Sequence, residues 1–145
     1  MKQIIVGIII VGIFGIGIYL YYSEPTYSAT DVLKRADFSV EEQAMEFLKF
    51  NYDKEELLVP IELTGKTQKE LIKAFEKSKF KKNKKGGSVY LTYDYWMKIT
   101  LNTGYVMYMD VINKGIAVGD NRGSYEEYLF KDDEFFSILE EKLTE

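Results

Sequence analysis

The stretch VYLTYDYWMKITLNTGYVMYMDVINKGIAVGD, residues Val89 to Asp120, decides the fold. It is dense in Tyr, Val, Ile, Thr and Trp, the residue types that suit a pleated, half-buried strand. Two turn signals interrupt it, Asn102-Thr103-Gly104 and Asn113-Lys114-Gly115, which offer residues that tolerate the positive φ of a hairpin. Around the first signal the chain alternates. Met97, Ile99 and Leu101 alternate with Lys98 and Thr100, and Tyr105, Met107, Met109 and Val111 with Tyr108 and Asp110. Strand side chains point to opposite faces with a period of two, so the odd positions are expected to face a core and the whole stretch to form an antiparallel meander.

Working outward, Asn121-Arg122-Gly123-Ser124 marks a further turn before a strand through Phe130. Asp132 or Asp133 is then expected to cap a last helix bearing Phe135, Phe136, Ile138, Leu139 and Leu143. Upstream, Leu57 to Leu63 alternates in part, and Pro60 restricts it to a sheet edge. Thr67-Gln68-Lys69-Glu70 has the form of a capping box opening a helix with Leu71, Ile72 and Phe75 on its apolar face, ending near Lys79 or Phe80. Lys81 to Ser88 lacks apolar residues and reads as an exposed loop. Ser39-Val40-Glu41-Glu42 is a second box of the same form, and a helix to about Lys49 is expected, burying Val40, Ala44, Phe47 and Leu48. The order of elements predicts an α+β fold: a two-layer domain, residues 37–145, with a three- to five-stranded, mainly antiparallel sheet and helices on one face. Residues 24–36 are expected to be a linker with one helical turn.

Ile4 to Tyr22 runs 19 residues without a charge. As a helix it would be roughly 28 Å long, near the hydrocarbon thickness of a bilayer. Its length, and the bulky residues that Tyr21-Tyr22-Ser23-Glu24-Pro25 offers at its end where a peptidase prefers small ones, argue against a cleaved signal peptide. Tyr19, Tyr21 and Tyr22 suit the headgroup layer. Residues 1–23 are therefore expected to be a single-pass signal anchor in the cell membrane, holding an extracytoplasmic domain.

No Cys and no His occur among the 145 residues. That removes disulfides, thiolate and imidazole metal ligands, a Cys nucleophile and the commonest general base. Only carboxylates, Lys, Tyr and hydroxyls remain for proton transfer, so neither an enzyme nor a bound cofactor or metal is expected. With 46% hydrophobic residues, including 12 Tyr and 9 Phe, the chain can still bury a core without such staples.

The stretch from Val59 to Leu143, with its strand, Thr-capped helix, Tyr-rich meander and acid-capped final helix, resembles small membrane-anchored or secreted domains of unknown function from Gram-positive bacteria. The resemblance implies a cell-envelope location and carries no functional residue with it.

Charge is unevenly placed. Lys66 to Lys85 holds nine Lys against Glu70 and Glu76, whereas Asp120 to Glu145 holds nine acids against Arg122, Lys131 and Lys142. If these segments lie apart, the domain is electrically polarised, and Lys79, Lys81, Lys82, Lys84 and Lys85 form a candidate contact for an anionic polymer, lipid headgroups or an envelope protein. The bland alternative is a solvated face that keeps a sheet edge soluble. Tyr90, Tyr93, Tyr95, Trp96, Tyr105 and Tyr108 offer a second candidate, an aromatic surface for a sugar, peptide or protein, against the plainer reading of cross-strand packing. Asp120-Asn121-Arg122-Gly123 lacks the spaced oxygen ligands of a calcium loop, and a net charge of −4 disfavours nucleic acid. The expected function is a non-catalytic, membrane-tethered binding module. An immunity or inhibitor protein acting on a toxin is the alternative, followed by a carboxylate-based enzyme.

Overall fold

The computed structural model describes residues 23–53, 57–83, 93–102, 104–119 and 125–143. Among the described residues the chain runs β1 (Tyr27–Ser28), α1 (Ala29–Val32), β2 (Ala44–Phe50), β3 (Leu58–Pro60), α2 (Gly65–Lys77), β4 (Lys79–Lys82), β5 (Tyr95–Thr100), β6 (Gly104–Asp110), β7 (Gly115–Gly119), β8 (Tyr125–Phe130) and α3 (Glu134–Leu143). The eight strands form one sheet in the order β1-β4-β8-β7-β6-β5-β2-β3, and every neighbouring pair is antiparallel. The meander β5–β8 makes its centre. β2 and β3 extend one side and β4 and β1 the other, so the chain must cross the sheet between β3 and β4. Helix α2 makes most of that crossing: its 13 residues reach about 20 Å along its axis.

Local chemistry shapes the joints. Thr64 caps α2, its hydroxyl accepting from the Thr67 amide at 3.2 Å, while Gln68 Nε2 donates to the Leu63 carbonyl and its Oε1 accepts from the Met45 amide at 3.1 Å. At the other end the Ser78 hydroxyl sits between the Ala74 carbonyl, 2.9 Å away, and Asp132 Oδ1, 3.0 Å away, and Asp132 Oδ2 accepts from the Lys79 amide. The β6–β7 turn places its positive φ, 51°, on Lys114. In the β5–β6 hairpin the Asn102 side chain clamps a distant loop, donating to the Arg35 carbonyl and accepting from the Asp37 amide.

One face of the sheet is covered by helices. Register puts Phe47, Met97, Met107 and Val118 in one cross-strand row on that face and Tyr95, Met109, Ile116 and Tyr128 in the next. These residues join one buried cluster with Leu71, Ile72 and Phe75 of α2 and Phe135, Phe136 and Leu139 of α3. Phe75 is its aromatic hub, 5.3 Å from Phe80, 5.8 Å from Phe130 and 6.0 Å from Phe135 between ring centroids.

Eight strands rather than three to five is a correction to the expected fold class, and three segments account for it. Ala44–Phe50 is strand β2, not the end of a helix, because Met45 and Phe47 bury while Ala44 and Glu46 stay exposed, a period of two that the Ala44/Phe47/Leu48 spacing obscured. The Ser39 hydroxyl, expected to cap that helix, instead donates to Asp37 at 2.6 Å. Lys79–Lys82 is a strand although only Phe80 is apolar, since the backbone bonds to β1 and β8 need no hydrophobic pattern. Tyr27–Ser28, in the expected linker, pairs with β4, and Ala29, Val32 and Leu33 enter the core. The second helix opens one turn earlier than its expected Thr67 box and ends at Lys77.

The expected transmembrane anchor is corrected as well. Among the described residues no helix is long and apolar enough to cross a membrane. The longest, α2, falls well short of a hydrocarbon core about 30 Å thick and carries a polar face. Ile4 to Tyr22, on which the single-pass, signal-anchor and extracytoplasmic placement rested, lies outside the described residues, so nothing in the structure supports that localisation.

Candidate functional site

The sheet face opposite the helices carries a continuous cross-strand row. Leu48 pairs with Trp96, Trp96 with Tyr108, Tyr108 with Ala117 and Ala117 with Glu127, so five adjacent strands send one side chain each to the same face. At about 4.8 Å per strand the row spans about 19 Å. Phe50 on β2 and Tyr125 on β8 lie on this face one pleat away, and Tyr93, two residues before β5, turns its ring onto it.

Tyr108 is the centre of the aromatic group. Its ring centroid lies 5.4 Å from Tyr93, 5.5 Å from Tyr125 in an edge-to-face arrangement, and 6.2 Å from Phe50, which stacks in turn on Tyr52 at 5.7 Å. Small residues make this possible. Ala117 is fully buried beside Tyr108, and a Cβ at Gly119 would come within 3.0 Å of the Tyr125 ring, so only glycine lets that ring lie down against β7. Tyr52 and Tyr125 remain 66% and 54% exposed, leaving ring surface for a ligand.

Acids flank the rings. Glu127 accepts from Asn83 Nδ2 at 3.0 Å and from the Tyr93 hydroxyl at 3.5 Å. Asp110 is buried, its carboxylate accepting from the Asn113 amide at 2.9 Å and Asn113 Nδ2 at 2.7 Å, and Asp94 accepts from the Val111 amide. Burial, reinforced by the Glu127 charge, pushes the Tyr93 phenol up to about 12. A hydrogen bond with Tyr125, then burial, raises Tyr108 as well. Both rings therefore stay neutral through the physiological range, polar at their rims and apolar on their faces. Among the described residues no group of three or more potential metal-ligating side chains is gathered, at this face or elsewhere.

The expected lysine site is arranged differently. Lys79, Lys81 and Lys82 lie on β4, while Lys84 and Lys85 are outside the described residues. Lys82 Nζ is 2.8 Å from Glu126, which also has Lys34 at 3.9 Å, and Lys81 Nζ is 3.6 Å from Glu24. The hydrogen bonds from Lys82 and then Tyr128 hold the Glu126 carboxyl below its ordinary value. Pairing of β4 with β8 sets the lysine-rich and acid-rich segments side by side, so the charge separation that required them to lie apart does not arise between these strands. Lys79 is exposed and gives its amide to Asp132.

The expected aromatic set divides between faces. Tyr93, Trp96 and Tyr108 reach the open face; Tyr95 stacks on Phe47 at 5.1 Å in the core, and the Tyr105 hydroxyl bonds the Lys34 carbonyl; Tyr90 lies outside the described residues. Sequence reasoning missed Phe50, Tyr52, Tyr125 and Glu127. The available signal was Phe50 alternating with Lys49, read instead as the end of a helix. Glu126 and Glu127 point to opposite faces of β8, and Asp132 and Asp133 serve Ser78 and Lys114 respectively. The rejected calcium loop, Asp120 to Gly123, lies outside the described residues.

Comparison with protein-family models, with curated proteins and with solved structures finds no match to this chain.

Proposed function

We propose that this chain is a recognition module that binds a partner through the open face of its sheet rather than transforming a substrate. The observation that carries the reading is the contiguous aromatic group of Tyr52, Phe50, Tyr108, Tyr93 and Tyr125, carried by β2, β6, β8 and the segments adjoining β2 and β5, with two of its rings more than half exposed. Aromatic rings anchored on a rigid scaffold cover large areas at little entropy cost, which is why they dominate binding hot spots. The absence of His and Cys from the sequence leaves few groups for proton transfer and supports recognition over catalysis. An inhibitor or immunity role is one form of the same reading.

The lysine strand β4 is the weaker contact surface, because Lys81 and Lys82 already neutralise Glu24 and Glu126. A pull-down from the native source separates the two. Recovery of a partner by wild type, loss with the Tyr52→Ser/Tyr125→Ser variant and retention with Lys81→Gln/Lys82→Gln is the expected result. The opposite pattern would move the site to β4, and equal recovery by all three would refute the open-face reading.

A further inference from the structure

We infer that the open face takes a cationic segment of a partner polypeptide, with a lysine or arginine head group seated on the Tyr93, Tyr108 and Tyr125 rings beside Glu127. The inference rests on the open face being the contact surface and deepens that reading by stating the chemistry of its occupant.

The argument is charge complementarity. Glu126 and Glu127 are neighbours on β8, yet they are treated oppositely. Glu126, on the helix side, has Lys82 at 2.8 Å and Lys34 at 3.9 Å. Glu127, on the open face, accepts from an amide and a phenol, and among the described residues no cation lies within ion-pair distance of it. Its half-buried carboxylate meets the Tyr93 hydroxyl, and the Tyr93 ring packs on Tyr108, which meets Tyr125, so the acid lies at the end of a group of rings whose π faces are themselves electronegative. Asp94 follows Tyr93 in the chain and Asp110 follows Tyr108 by two residues on β6, both with only neutral hydrogen-bond partners among the described residues, and they add to the negative potential at this end of the row. An anionic occupant would meet repulsion from all three acids. A cation gains from ring faces and carboxylate together, the pairing used by aromatic cages for ammonium groups. Guanidinium has the further advantage of a flat, weakly hydrated head that stacks on a ring while bonding a carboxylate. Among the described residues, the lysines nearest in register on this face, Lys98 and Lys81, are engaged by Glu46 at 3.4 Å and Glu24 at 3.6 Å and do not fill this position.

Trp96 is the only tryptophan of the chain and is the register partner of Tyr108, so its fluorescence reports on this face directly. The test titrates the full-length protein with an oligolysine peptide, its Nε-acetylated counterpart, an oligoglutamate and a neutral cello-oligosaccharide. Saturable change with oligolysine is expected, weakened by salt, absent with the acetylated peptide and reduced about tenfold by Glu127→Gln, the loss of one charge-assisted contact. Tyr125→Ala should weaken it comparably, while Glu134→Gln, on α3 behind the sheet, should leave it unchanged. A response to the oligosaccharide or the oligoglutamate instead, lost in Tyr125→Ala, would overturn the cationic occupant and leave the open-face reading standing. Oligolysine binding that falls equally with Glu127→Gln and Glu134→Gln and ignores Tyr125→Ala would overturn both. No response to oligolysine would overturn the inference alone.

Discussion

Truncating Phe75 to alanine should remove much of the stability of this domain. The side chain is fully buried on α2, and its ring meets four others: Phe80, Phe130, Phe135 and, at 6.4 Å, Phe38. Phe→Ala substitutions in cores cost about 3–5 kcal/mol, combining lost transfer energy with the cavity left behind. Aromatic pairs add about 0.5–1.5 kcal/mol each beyond area. Four ring neighbours on α3, two strands and the loop after α1 cannot all close on the void, which argues for the upper end, about 4–5 kcal/mol. Against a total stability of about 5–15 kcal/mol, that leaves a marginal domain. Equilibrium urea unfolding followed by Trp96 fluorescence and circular dichroism measures it. With an m-value near 2 kcal/mol per molar, the midpoint should fall by about 2 M. Phe75→Leu keeps most of the apolar volume and should cost only about 1–2 kcal/mol. A Phe75→Ala loss below about 2 kcal/mol, or equal losses for both variants, would refute the hub assignment.

Gln68→Ala removes the partners of the Met45 amide and the Leu63 carbonyl together, and a loss of about 1–3 kcal/mol with faster hydrogen exchange at Met45 is expected. Gly119→Ala sets a methyl 3.0 Å from the Tyr125 ring, and because that ring is exposed it should swing away with little loss of stability. Breaking the Tyr125–Tyr108 hydrogen bond should then bring part of the tyrosinate absorbance to lower pH, and an unchanged titration counts against the contact. Tyr93 has a folded value of about 12 above its ordinary 10.0, so its neutral form is favoured in the native state. Its contribution is fully present below pH 10 and is lost as pH rises through 10 to 12, so Tyr93→Phe should flatten the fall in stability across that window.

The parts of the fold that were legible in the chain are those written in short-range chemistry. Met97, Ile99, Met107 and Met109 bury on one face as their alternation requires, and the hairpin between them turns at Asn102. Two of the strands that were not legible, Tyr27–Ser28 at the sheet edge and Lys79–Lys82 beside it, are short segments held by backbone bonds to partners about 50 residues away in the chain, which no local pattern encodes. The same holds for the candidate site. Three of its rings were visible as aromatic residues, but Phe50, Tyr125 and Glu127 joined them only through strand order.

Composition and pattern alone determined that this chain has no Cys or His chemistry, that residues around 95–119 form antiparallel hairpins, and which side chains of those hairpins face inward. These are properties of each residue and its near neighbours. Tertiary structure alone decided that β4 lies beside β8, pairing Lys82 with Glu126, and that rings from β2, β6, β8 and the approach to β5 meet on one face, which no helix covers among the described residues. Both depend on strand order, and strand order follows from the collective burial of one shared core rather than from any local stretch of sequence.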